Sequence, residues 1–317
     1  GSMEVGNLVA FLEYQFHALF SLLMFSIVFV MYPRAAVSAR RIEEVLSKEP
    51  LIKNPSNGLE DGTKETEIVF ENVDFAYPDG EANVLSDISF KASRGETLAF
   101  IGSTGSGKSS LINLIVRFYD VSKGRVLVNG VDVRDYDLYS LRNKVGFIPQ
   151  KAQLFSGSIA ENIRYGKQYA DNLEVVESAD LAAARDFIEK KPHQYDEWLS
   201  EGGSNVSGGQ RQRLSIARAL VRKPEIYIFD DSFSALDYKT DATIRQNLKS
   251  ETEDAIMLVV AQRISSIVDA DQIIVLNEGH IVGKGTHLEL MKECEIYQEI
   301  AKSQMSETEM EKYEKLA

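Results

Sequence analysis

The chain has 317 residues, a formal net charge of −13 and a pI near 4.9, which is room for about two domains and a full-sized core. Its 44% hydrophobic and 26% charged residues, with 21 Gly and 7 Pro, exclude collagen-like and wholly disordered classes. The acidic balance argues against nucleic acid as a partner, since a negative chain repels the phosphate backbone. The one cysteine, Cys294, permits neither an intrachain disulfide nor a cysteine-based zinc site and reads as a free thiol.

In chain order, Gly1-Ser2 ahead of Met3 reads as a tag-cleavage scar. Phe16 to Tyr32 is a membrane-grade apolar run closed by Pro33-Arg34, near the short end of what spans a bilayer core of about 30 Å. No Lys or Arg precedes it, which disfavours a signal peptide. Arg34, Arg40 and Arg41 follow it and place that end in the cytoplasm. The alternative is a buried core helix of a soluble protein. Ala35 to Lys48 reads as a helix continuing toward water, with Val37, Ile42, Val45 and Leu46 on one side. Residues 1–48 are then the tag remnant and the end of a membrane domain. Pro50, Pro55, Asn57-Gly58 and Asp61-Gly62 make 49–66 a linker, 67–303 the main domain and 304–317 a charged helix or tail.

From Ile68 the pattern is strand-like, through Phe70, Val73, Phe75 and Tyr77 and then Val84 to Phe90, predicting a small antiparallel sheet with a turn at Pro78-Asp79-Gly80. Thr97 to Ile101 is a continuous apolar run, as expected of a strand buried on both faces, and a glycine-rich loop and a helical pattern over Leu111 to Phe118 follow. Arg125 to Val133 predicts a hairpin turned by Asn129-Gly130. Val145 to Ile148, Ile226 to Phe229, Ile256 to Val260 and Ile273 to Leu276 predict further buried strands. Residues 153–223 read mainly as helices, including Ala182 to Lys190 and Gln210 to Val221, and the chain is again helical after Gly285. With Gly102-Ser-Thr-Gly-Ser-Gly-Lys108-Ser109 between a buried strand and a helix, the class is α/β, a phosphate-loop NTPase core with a parallel-rich sheet, an antiparallel β subdomain and a helical subdomain, preceded by one membrane-type helix.

Gly102-Ser-Thr-Gly-Ser-Gly-Lys108-Ser109 fits the phosphate-loop pattern in full, between a strand and a helix as required. Its backbone N–H groups would turn inward on phosphate, Lys108 would reach the β/γ oxygens and Ser109 would ligate Mg²⁺. Ile226 to Asp230 is an apolar strand ending in a carboxylate suited to Mg²⁺, and Asp231 stands where a base or water-orienting group is wanted. Either acid alone could be a polar strand-end cap. Val206-Ser207-Gly208-Gly209-Gln210 opens a second helix with exposed N–H groups, another anion site. One nucleotide does not need both sites in one chain, whereas two chains facing head to tail would use both.

Together with Gln150 and Ser234-Ala-Leu-Asp237, these motifs resemble the nucleotide-binding domain of ATP-binding cassette (ABC) transporters, of the exporter type whose membrane helices precede the ATPase on one chain. The resemblance covers roughly residues 67 to 300, and Phe16 to Leu46 is similar to that family's last membrane helix. It implies ATP and Mg²⁺ as ligands, a second half-transporter as partner, and a cell-membrane location with the ATPase on the cytoplasmic side. Residue by residue it implies that Tyr77 stacks on adenine and that Ser103, Thr104, Gly105, Ser106, Gly107, Lys108, Ser109 and Ser110 cradle the phosphates. Ser109, Gln150 and Asp230 would surround the metal, and Asp237 would communicate between paired sites. Glu201 would contact intracellular helices. Taken alone, Tyr77 could be a sheet-packing tyrosine and Glu201 a solvated loop charge.

Two positions depart from the family pattern. Asp231 replaces a glutamate after the magnesium acid, and Gln262, in Val260-Ala-Gln-Arg263, replaces a switch histidine. A carboxylate shortened by one methylene is withdrawn by about 1 Å, a misplacement that costs ~100-fold in rate. Gln262 can donate a hydrogen bond but cannot carry charge or move a proton. Val206 to Gln210, which the resemblance makes the family's signature acting on the partner's nucleotide, differs only in Val206 for the usual leucine. A weak catalytic pair beside an intact signature suits the degenerate half of a heterodimeric exporter. The alternatives are a slow homodimer and a soluble ABC-type ATPase acting on DNA or the ribosome, the latter opposed by the charge and the apolar run. A phosphoryl-transferring kinase has no use for a Ser-Gly-Gly-Gln helix start.

Overall fold

Helix α1 (Val5–Leu46) runs without interruption through Pro33, continuing past the apolar run as expected. Proline's fixed φ suits a helix, and its cost here is the N–H missing to the carbonyl one turn earlier. None of its side chains is buried within the chain, and its apolar residues point to every side, Phe16, Phe20, Leu23 and Val28 among them. From Phe16 to Tyr32 the helix is apolar all round and has no face for water, whereas Arg34, Arg40, Arg41, Glu43 and Glu44 follow. The hydroxyls of Ser21 and Ser26 donate back to the carbonyls of His17 and Leu22 at 2.8 and 2.9 Å, so neither brings an unsatisfied polar group into the run. The helix is long and apolar enough to cross a membrane.

The computed structural model describes residues 4–62, 65–251 and 253–304. The chain divides into two units, residues 1–53 and 54–317. The tag scar and most of the charged tail, 305–317, lie outside the described residues.

In the second unit, β1 (Glu67–Phe75), β2 (Leu85–Ser93) and β3 (Thr97–Gly102) lead into the phosphate loop and α2 (Lys108–Ile115). Next come β4 (Lys123–Val128), β5 (Val131–Asp132), α3 (Leu138–Asn143), β6 (Val145–Ile148) and β7 (Gly157–Ser158). Then α4 (Ile159–Arg164), α5 (Asn172–Leu181), α6 (Arg185–Glu189), β8 (Trp198–Leu199) and α7 (Gly208–Leu220) form the helical part. The chain continues with β9 (Ile226–Asp230), α8 (Tyr238–Glu251), β10 (Ile256–Val260), β11 (Gln272–Asn277), β12 (His280–Gly285), α9 (His287–Glu293) and α10 (Glu295–Gln304).

A six-stranded sheet has the order β12-β11-β3-β10-β9-β6, parallel except for the β11/β12 pair. A four-stranded antiparallel sheet has the order β2-β1-β4-β5. Alternation along each central strand divides the core. Leu98 and Phe100 of β3, Ile226 and Ile228 of β9, and Ile274 and Leu276 of β11 join the cluster shared with α2 and the antiparallel sheet. Ala99, Ile101, Tyr227, Phe229, Ile273 and Val275 join the cluster under the helices. Burial of both faces explains why these strands read as unbroken apolar runs.

The expected hairpin is present, with Asn129 and Gly130 at φ +51° and +79°, the two left-handed residues that a type I′ turn requires. Three details differ. The helix expected over Ala182 to Lys190 is reduced to α6, because Ala183 adopts φ +50° and separates it from α5. β12 and the β7/β8 pair carry no apolar run that would announce them. The expected linker contains anchored residues: Leu59 bridges to Tyr136, Asn54 donates to Asp137 at 2.6 Å, and Lys144 donates to Asp61 at 2.6 Å.

Candidate functional site

The phosphate loop joins β3 to α2, and its shape depends on glycine at particular positions. Gly107 sits at φ +97°, and a Cβ there would lie 2.6 Å from Leu85 Cδ2 and 3.0 Å from the Val84 carbonyl oxygen. A Cβ on Gly102 would lie 2.0 Å from the Leu276 carbonyl oxygen. Lys108 folds over the loop, its Nζ donating to the carbonyls of Gly102 and Ser103 at 2.8 Å and to the Ser106 hydroxyl at 3.2 Å. Burial pushes the Lys108 ammonium below its ordinary pKa, partly offset by Asp231 and Asp230. Such a cation, held among neutral oxygens, is positioned to gain from an anionic partner.

Ser109 is the second residue of α2, and its hydroxyl donates to Asp230 Oδ1 at 3.1 Å. Burial, and the neighbouring Asp231, raise the Asp230 pKa, opposed by the Ser109 bond and by Lys108. Asp231 is 7% exposed and left-handed at φ +46°, and its backbone N–H donates to the Val260 carbonyl at 2.9 Å. One of its oxygens, Oδ2, accepts from Gln150 Nε2 at 2.8 Å and from Gln262 Nε2 at 2.7 Å. Burial raises its pKa too, with the Gln150 bond the largest opposing influence.

Tyr77, Ser103 to Ser110, Gln150, Asp230, Asp231 and Gln262 line one cavity of about 810 Å³. The structure thus brings together residues spread over more than half the sequence. The Tyr77 hydroxyl shares a 2.8 Å hydrogen bond with Ser110 Oγ, and its ring meets Phe75 and Tyr119 edge-on. Residues that motif reading missed also face this cavity: Ile296, Glu299, Ile300, Ser303 and Gln304 of α10. No local motif marks them, and only the packing of α10 carries them there.

The Val206 to Gln210 segment lies elsewhere. Val206 is buried, and Ser207 caps α7 in a capping box, accepting from the Gln210 N–H at 3.2 Å while Gln210 Oε1 accepts from the Ser207 N–H at 3.1 Å. Ser207 and Gly208 are exposed, and Gly209 is partly so. Gly208 lines a second cavity of about 860 Å³ with Glu201, Arg211 and Gln150. Gln150 therefore faces both cavities, and Gln212 of α7 donates to the carbonyl of Pro149 beside it at 3.2 Å. Asp237 is outside both linings; its carboxylate accepts from the Thr240 N–H at 3.0 Å and hydroxyl at 2.7 Å, which lowers its pKa and caps α8.

The geometry fits a polyphosphate and a hard cation. The cradle admits no Cβ at Gly102 or Gly107, and the oxygens of Ser109 and Asp230 are adjacent. Among the described residues there is no group of three or more His, Cys, Asp or Glu able to hold a metal unaided, and Mg²⁺ characteristically takes one or two protein oxygens and completes its shell with water and phosphate.

Residues 85–234 match the family model described as ABC transporter. The chain is 46% identical over 308 residues to an uncharacterized ABC transporter ATP-binding protein of Mycobacterium tuberculosis, covering 96% of this chain and 53% of that protein. It is 42% identical over 257 residues to a Staphylococcus aureus protein provisionally named a multidrug export ATP-binding/permease protein, covering 81% of this chain and 44% of that one. A solved structure of a bacterial Atm1-family ABC exporter with ATP bound is similar at a TM-score of 0.85 and 32% identity, covering 97% of this chain and 54% of that one. The chain spans about half the length of these relatives. With the matched residues 85–234 set in this mixed-sheet fold, this part of the chain is an ABC transporter ATPase domain.

Proposed function

We propose that the chain is the ATP-binding subunit of an ABC exporter, working at the cell membrane with its ATPase domain on the cytoplasmic side and pairing head to tail with a second, different half-transporter. In this reading its own site binds MgATP but hydrolyses it poorly, and its signature completes the partner's catalytic site. Likeness to named exporters and the apolar α1 support membrane transport. The observation that carries the degenerate-site reading is Asp231: a short acid whose Oδ2 is occupied by two glutamine amides is poorly placed to orient water or take its proton.

In this reading Lys108 and the N-terminal N–H groups of α2 hold the β and γ phosphates, and Tyr77 offers its ring to the base. Ser109, Gln150 and Asp230 hold the metal, which when bound would neutralise phosphate charge as a Lewis acid. Gln262 donates toward the γ-phosphate without being able to accept a proton at neutral pH. Ser207 and Gly208, which are exposed, and Gly209, which is partly so, would offer donors to a γ-phosphate held by the partner, where pre-aimed donors stabilise developing charge most. Asp237 stands between the two sites.

The test is a reconstituted pair. Ser207→Ala with Gly208→Asp in this chain should abolish hydrolysis while ATP binding to its own phosphate loop survives. Asp231→Asn should have a much smaller effect on the total rate. If Asp231→Asn stops turnover and the signature change does not, catalytic and degenerate sites are reversed.

A further inference from the structure

The loop after β10 carries Gln262, between buried Ala261 and buried Ile264. Gln262 and Arg263 are exposed, and the 3₁₀ turn that follows, Ile264–Ser266, receives no capping hydrogen bond from the side chain of Arg263. The missing bonds come from 40 residues further along the chain. Gln304 Oε1 accepts from the Ile264 N–H at 2.9 Å, and Gln304 Nε2 donates to the Gln262 carbonyl at 2.7 Å. One amide thus grips the backbone on both sides of Arg263, as a neighbouring strand would. Gln262 is held at both ends, its carbonyl by Gln304 and its side chain by Asp231. Helix α10 is itself anchored by the fully buried Tyr297 and Ala301, with His287 Nδ1 2.7 Å from the Tyr297 hydroxyl.

We infer that Gln304 is a positioning residue for Gln262, so that docking of α10 sets how this site reads the γ-phosphate. The inference rests on the nucleotide reading above and extends it to a helix outside every phosphate-binding motif. A side chain held through its own backbone loses its aim when that backbone is released, and the loss falls on the group it faces. Nucleotides that lack a γ-phosphate should not register it.

The experiment titrates the full chain in detergent with MgATP and with MgADP, for wild type, Gln304→Ala, Gln304→Glu, Gln262→Ala and the Gln262/Gln304 double alanine variant. Hydrogen exchange is followed at Ile264. Gln304→Ala should weaken MgATP binding about fivefold, the worth of roughly one hydrogen bond, leave MgADP unchanged and speed exchange at Ile264. Gln304→Glu keeps the acceptor for Ile264 but loses the donor to Gln262, so it should preserve Ile264 protection and still weaken MgATP. The double variant should be no worse than Gln262→Ala, because residues acting through one another are not additive. Equal loss for both nucleotides, additive losses, or unchanged exchange at Ile264 in Gln304→Ala would each overturn the inference. A wild-type chain that bound no MgATP would remove the nucleotide reading instead, and the exchange measurement would still decide whether Gln304 holds the loop.

Discussion

Gln262 donates its side-chain amide to Oδ2 of Asp231 at 2.7 Å, so Gln262 and the acid following the strand-end carboxylate hold each other. The two departures from the family pattern are therefore one structural unit. Reverting them together is the informative change: Asp231→Glu with Gln262→His should raise turnover by this chain's own site at least tenfold, restoring both reach and a titratable group. Each single change should do less, because groups that act as a unit are not additive. Steady-state phosphate release checks this, and wild-type homomer turnover of about 1 to 10 per second would contradict the degenerate reading.

Lys108→Ala should weaken MgATP binding by at least tenfold, a loss of about 1.4 kcal/mol or more. Its ammonium is the charged donor of the loop, and the Gly102 and Ser103 carbonyls that now hold it cannot take its place on phosphate. Calorimetric titration decides the matter, and unchanged affinity would mean the loop does not bind phosphate as described.

Gly107→Ala and Gly105→Ala separate crowding from backbone strain. Both glycines have positive φ, +97° and +83°, but a Cβ on Gly105 meets nothing within 4 Å whereas one on Gly107 runs into Leu85 and Val84. Gly105→Ala should cost about 1 kcal/mol, and Gly107→Ala about 1 to 3 kcal/mol more as β2 is displaced. Urea unfolding of the nucleotide-free chain checks the order, and equal losses would contradict it.

A pH effect should originate at His287. Burial depresses its pKa below the ordinary imidazole value, with Asp269 opposing. A depressed pKa contributes stability that is fully present above the unfolded value of about 6.5 and is lost as pH falls through the folded one. Wild type should therefore lose more stability than His287→Gln on going from pH 7.5 to 5, and the variant, which cannot charge, should flatten this part of the profile. Thermal melting of both chains across that range provides the comparison, and parallel profiles would exclude His287 as the source.

Much of the candidate site's geometry was legible because its elements are local. A strand, a glycine-rich turn and a helix start occupy consecutive residues, so Gly102 to Ser109 announces an anion cradle before any folding is known. Asp230 at the end of an apolar strand and Ser207 ahead of Gly208 are readable for the same reason. The alternation that sorts Leu98 and Phe100 from Ala99 and Ile101 is not, since a strand buried on both faces looks uniformly apolar until each face has a neighbour.

The sequence by itself determined the glycine-rich turn over Gly102 to Ser109, the helix start at Gly208, the buried strands and the residue types at 231 and 262, because each follows from residue type at short spacing. Only the tertiary structure decided that Gln150 and Gln262 meet on one oxygen of Asp231, that Gln150 faces two cavities, and that Gln304 grips the loop of Gln262. Those contacts join residues 31 to 81 positions apart. Their distances are set by sheet order and helix packing, which no local pattern of residues encodes.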